Sequence, residues 1–148
     1  MHRDEPETAF GYMVQPLKRY ADFSGRSRRK EYWLFYLLQI LIYCAAAVPA
    51  VLLAVSSDPN SDPADSSEMI GVLAIFGLVF LALLIPSIAV TVRRFHDQDK
   101  TGWLYLLTFI PYVGGIIVFV MMLFEGTRGP NQYGPDPKDP DYVGDVFA

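Results

Sequence analysis

Histidine is almost missing from this sequence, with only His2 and His96 in 148 residues. A catalytic zinc takes three protein ligands, usually with two or more nitrogen or sulfur donors, so one copy of this chain does not readily assemble a metal centre. Cysteine is scarcer still: Cys44 stands alone, which excludes an internal disulfide. Among apolar neighbours this thiol reads as a small hydrophobe. Charge is missing over three long stretches, Tyr32 to Ser57, Met69 to Val92 and Thr101 to Phe124, in a chain that is 52% apolar. A soluble protein spreads its apolar residues at helix or strand period, whereas uncharged blocks of this kind mark membrane segments. Because the blocks contain no Asp, Glu, Lys, Arg or His, the usual markers of a proton or ion pathway are absent. Three spans also lack the inverted repeats of secondary transporters, so an oligomeric pore or transporter subunit stands only as a second alternative.

Each block holds more than 20 residues. At about 1.5 Å of rise per residue, each outreaches the roughly 30 Å hydrocarbon core of a bilayer. The expected fold is an all-α integral membrane protein with three transmembrane helices, over about 32–55, 69–92 and 102–124. Residues 1–31 form a cytoplasmic basic segment, 32–124 the transmembrane domain and 125–148 a Gly/Pro-rich, irregular tail. Phe10, Met13, Val14, Leu17, Tyr20 and Ala21 fall at spacings of three and four, which predicts a short amphipathic helix, either on the interface or packed on the protein itself. Pro49, Pro86 and Pro111 predict kinks whose freed backbone groups neighbouring helices or hydroxyls such as Ser87 and Thr91 can satisfy. In "FIPYVGGII" (109–117), Pro111, Gly114 and Gly115 stand halfway along the third block, and the alternative there is a re-entrant hairpin. Seven cations precede the first span, while "SDPNSDPADSSE" (57–68) has four carboxylates and no cation. The cation bias places the N-terminus in the cytoplasm and, under three spans, the tail outside.

Short motifs then carry a resemblance. "FSGRSRRKEYW" (23–33), "RRFHDQDKTGW" (93–103), the "IP" and glycines of 110–115, and "GTRGPNQYGPDP" (126–137) together resemble the YhaH-like inner-membrane proteins, domain-of-unknown-function family 805. The resemblance covers about residues 10–137. It implies a small bacterial inner (plasma) membrane protein without an assigned activity. Family members often carry glycine and serine where this chain has Asp99 and Thr101, which counts against any mechanism needing close backbone approach at 99.

The charged segment "RRFHDQDK" is open to three readings. As a reactive centre it would use His96 as a general base oriented by Asp97, yet no Ser or Cys nucleophile stands beside it. No catalytic residue is assigned beyond those two candidates, and neither a metal nor a cofactor is implied. As a lipid site it would use Arg26, Arg29, Arg93 and Arg94 on anionic headgroups, since the guanidinium fork matches phosphate. As a structural device it would pair Glu31 and Asp97 with the same arginines, because carboxylates beside a membrane are costly unless paired. In the tail motif, Asn131, Tyr133, Gly134 and Asp136 have turn chemistry, which suits either a recognition turn or an ordered exit from the last span. Ala46, Ala50 and Ala54 offer a close-packing stripe to another helix or a second copy. The leading expectation is a noncatalytic membrane protein binding anionic lipid or a membrane partner, with no nucleic-acid partner. A small enzyme acting on a lipid or isoprenoid phosphate is the alternative.

Overall fold

The computed structural model describes residues 8–56 and 67–138. His2, the acidic loop 57–66, the end of the tail beyond 138, and the side chains of Ala50 and Ala54 lie outside the described residues. The element order is α1 (Ala9–Lys18), α2 (Arg29–Ser56), α3 (Ser67–Asp97), a 3-10 helix (Gly102–Phe109) and α4 (Gly114–Leu123), with no strand among the described residues.

Helix α1 starts where the Thr8 hydroxyl accepts the Gly11 amide at 3.1 Å, which satisfies one of the donors a helix start leaves open. It packs on α2 and α3, with Pro16 buried and Leu17 against the Phe35, Leu83 and Val90 cluster, while Phe10 points outward. Part of the amphipathic stripe therefore seats on the protein's own helices. A second cluster, Phe95, Val118 and Met122, joins the end of α3 to α4 and to Trp33 of α2. Elsewhere α2 and α3 turn apolar side chains outward: Leu52, Leu73 and Leu78 are 64%, 64% and 68% exposed. Both are long and apolar enough to cross a membrane, over Arg29–Pro49 and Ile70–Asp97, and among the described residues they are the two that are.

Pro86 sits inside α3 and lacks an amide hydrogen, so the carbonyl four residues back, at Ala82, loses its helical donor. The Tyr20 hydroxyl takes its place, donating to that carbonyl at 2.7 Å. Ser87 and Thr91, the hydroxyls expected to help, bond instead to the Leu83 and Ser87 carbonyls of their own helix.

The third apolar block is not one helix, which corrects the expected span 102–124. Ile110 precedes a proline and is extended, at ψ 117°. Tyr112 follows at φ +67°, a left-handed backbone that a bulky side chain adopts only under strain. Gly114 lies so close to the 3-10 helix that a Cβ there would strike the Leu107 carbonyl, and its absence lets α4 turn back. At about 2.0 Å and 1.5 Å of rise per residue, the two arms each reach about 15 Å, half of the roughly 30 Å core.

After α4 the chain arrives at the end of the molecule where α3 stops. Arg94 donates to the Phe124 carbonyl, and the Thr127 amide donates to the Asp97 carbonyl at 2.8 Å. Residues 124–138 thus share one end of the described fold with the arginine clusters. The chain reversal at Pro111 to Gly114 is the physical reason.

Candidate functional site

The last turn of α3 carries "RRFHD", and helical geometry sends its two arginines to different neighbours. Arg93 turns toward the N-terminal segment: it donates to Glu31 at 3.1 Å and to the Asp22 carbonyl at 3.1 Å, while its own carbonyl accepts the Ser27 amide at 3.2 Å. Arg94, three residues before Asp97, lies on the same face as that carboxylate and pairs with it. Arg26 enters from the segment before α2. Its Nε donates to Asp97 Oδ1 at 3.0 Å, and its terminal nitrogens donate to the Thr127 and Gly129 carbonyls at 2.5 and 2.6 Å. Both oxygens of Asp97 are thereby occupied.

The tail motif supplies what a helix C-terminus lacks, donors for its last carbonyls. The Asn131 side-chain amide donates to the His96 carbonyl at 2.9 Å, and Thr127 covers that of Asp97. Asn131 Oδ1 accepts the Tyr133 amide at 2.9 Å, closing the expected turn, and Asp136 Oδ2 accepts the Gly129 amide at 2.9 Å. Gly134 completes the turn by exchanging backbone bonds with Asn131 at 3.0 Å. A Cβ at Gly126 would collide with the Asp97 carboxylate, so only glycine lets the tail pass this close.

Burial decides what this cluster can do. The buried charged residues among those described are three cations, Arg26, Arg93 and Arg94, and three carboxylates, Glu31, Asp97 and Asp136. Charges removed from water are tolerated when paired and bonded, and here the two signs balance. No surplus positive charge remains inside for an anion.

His96 is held by a different device. Its Nδ1 lies 3.2 Å from the Gly25 carbonyl, and its ring stacks on Tyr133 at 3.9 Å with an interplanar angle of 2°. Both Asp97 oxygens bond arginines, and the ring nitrogen of His96 faces the Gly25 carbonyl instead. Among the described residues no group of three His, Cys, Asp or Glu is placed to hold a metal ion.

Of the four arginines singled out for lipid, Arg29 differs in being 39% exposed along its side chain, 3.4 Å from Glu125. It lines an open cleft of about 510 Å³ between α1 and α2, together with Tyr12, Lys30, Trp33 and Leu34. By sequence Lys30 belongs to the same basic edge as Arg26, Arg28 and Arg29 but by itself reads as a topology-setting cation, and Tyr12 carries no site signal. The bonds of Tyr20 and Thr127 were also missed, because their partners are distant in sequence, Ala82 for Tyr20, and Asp97 and Arg26 for Thr127.

Among the described residues, helices without a strand, two of them candidate membrane spans, and a buried charged cluster at one end define the class. The model of the family described as "Protein of unknown function (DUF805)" matches residues 20–135, and the chain belongs to that family. It is 37% identical over 127 residues to "Inner membrane protein YhaI" of Escherichia coli K12, covering 86% of this chain and 95% of that protein. To "Inner membrane protein YhaH" of the same organism it is 38% identical over 129 residues, covering 86% and 96%. "Uncharacterized protein YiiR" of that organism is 29% identical over 152 residues, covering 83% and 90%. No solved structure matches the chain.

Proposed function

We propose that this chain is a noncatalytic bacterial inner-membrane protein that holds anionic lipid headgroups in the cleft between α1 and α2. In this reading α2 and α3 cross the bilayer, and the 3-10 helix and α4 form a re-entrant hairpin. Both chain ends then face the cytoplasm, as the cation bias of 1–31 and 93–100 favours. The observation that carries the reading is the contrast among the arginines. Arg26, Arg93 and Arg94 are buried and engaged within the chain, whereas Arg29 and Lys30 border open space beside Tyr12, Trp33 and Leu34. Two cations suit a phosphate, and the apolar wall next to them suits the first carbons of an acyl chain.

The enzyme alternative gains something from the tail's position, since His96, Arg94 and the tail motif come to one end. It lacks a free acid–base partner, because Asp97 bonds only arginines and the backbone around it. The test is lipid copurification. Each juxtamembrane cation contributes about 1 kcal/mol, so Arg29→Gln with Lys30→Gln is expected to lower bound phosphatidylglycerol about tenfold or more. Unchanged lipid in a well-folded variant would overturn the reading.

A further inference from the structure

A second cavity, of about 280 Å³, lies away from the charged cluster, between α2, α3, the 3-10 helix and α4. Its lining includes the rings of Trp33, Tyr36, Tyr105 and Phe119 and, as polar groups, Gln39 and Ser87 with Thr91 and Thr108, whose hydroxyls already donate to backbone carbonyls. No charged residue lines it, so it suits a neutral guest. The rings stand edge to face, with Trp33 5.4 Å from Phe119 at 83° and 6.1 Å from Tyr36 at 84°. Such a box accepts a flat ring by the same edge and face contacts. The volume lies below the roughly 300 Å³ at which drug-sized pockets begin, which limits the guest to one or two rings.

Gln39 fixes the polar requirement. Ser87 has one proton and gives it to the Leu83 carbonyl, so the Gln39 side-chain nitrogen must be the donor in the Gln39–Ser87 bond. Its oxygen makes no bond among the described residues and keeps some accessible surface, on a residue that is 8% exposed. In an apolar surrounding an unused acceptor is costly, and a guest with one donor relieves it. Gly115 of α4 also lines the cavity, and a Cβ there would meet nothing within 4 Å.

We infer that this cavity is a binding site for a neutral aromatic alcohol of one or two rings, a phenol or quinol head, whose hydroxyl donates to Gln39. The site shares Trp33 with the headgroup cleft but none of its cations, so each can fail without the other.

The test uses the full chain in phosphatidylcholine nanodiscs with Trp103→Phe, which leaves Trp33 as the only tryptophan of the two in the sequence. The probe is 2-naphthol, and 2-methylnaphthalene is its match without the hydroxyl. Saturable quenching of Trp33 by 2-naphthol is expected, with the methyl compound about tenfold weaker, the worth of one buried hydrogen bond. Gly115→Leu, which adds bulk to the cavity lining, should abolish saturation, and Gln39→Leu should weaken 2-naphthol about tenfold. Quenching that rises linearly with membrane-bound probe and is the same in Gly115→Leu would overturn the site as mere partitioning. Equal affinity for the two probes would overturn the role of the hydroxyl, even if Gln39→Leu failed to fold.

Discussion

Asp99 holds φ at +57° just past the end of α3, a left-handed position at which glycine costs least. The glycine that the family resemblance leads one to expect there is thus explained by backbone conformation, and close approach is not needed. Asp99→Gly is expected to stabilise the protein by about 0.5 kcal/mol, the relief of strain being offset by a looser unfolded chain and by loss of the 3.2 Å bond from Gln132. Thermal unfolding in detergent would measure it. Asp97→Asn is the opposite case: it leaves Arg26 and Arg94 buried beside a neutral group and should cost about 3–5 kcal/mol in the same assay. Asp22 makes a pH-dependent contribution. Burial raises its pKa, but bonds from Ser24 and Arg19 outweigh this and hold the carboxyl well below the usual range. A depressed folded pKa means that its stabilisation is present above the unfolded value of 3.8 and fades as pH falls through the folded one. Unfolding followed from pH 5 downward should therefore show a steeper loss in the wild type than in Asp22→Asn.

Between elements, the Tyr20 to Ala82 bond is a specific tie from the loop after α1 to the proline site of α3. Tyr20→Phe should cost about 1–2 kcal/mol, since the Ala82 carbonyl is then left without a donor. Pro86→Ala returns an amide at position 86, so in that background Tyr20→Phe should cost less by about 1 kcal/mol. A double-mutant cycle reads this coupling directly, and additive losses would count against it. The prolines were plain in the sequence, but the group that repairs Pro86 was not. Tyr20 lies 62 residues away and belongs to a different apolar stripe. The third block shows the same limit: Pro111, Gly114 and Gly115 marked a break, but block length alone favoured a single span. What decided against it was the Leu107 carbonyl beneath Gly114, a contact that exists only once α4 has folded back.

For the whole molecule, the two adjacent arginines act as separate ties, Arg93 to the N-terminal segment and Arg94 to the tail. If α2 and α3 cross a bilayer, the bonds of residues 124–138 to the end of α3 require both termini on one side. Paired fusions at Ala148, one reporter active only outside and one only inside, should give signal from the inside reporter alone. An outside signal would mean that the tail cluster does not form in the membrane. The uncharged blocks, the cation asymmetry and the family motifs were decided by the sequence alone, because burial in lipid depends on local composition and length. The pairing of Glu31 and Asp97 with arginines was one of three readings the sequence allowed, and the tertiary structure shows the pairs formed. Which arginine met which carboxylate, that the tail motif would cover the carbonyls ending α3, and that Arg29 rather than Arg26 would stay open were settled by tertiary structure. Those outcomes depend on side chains from segments up to 103 residues apart arriving at one helix end, as Arg26 and Gly129 do. No local pattern encodes that meeting.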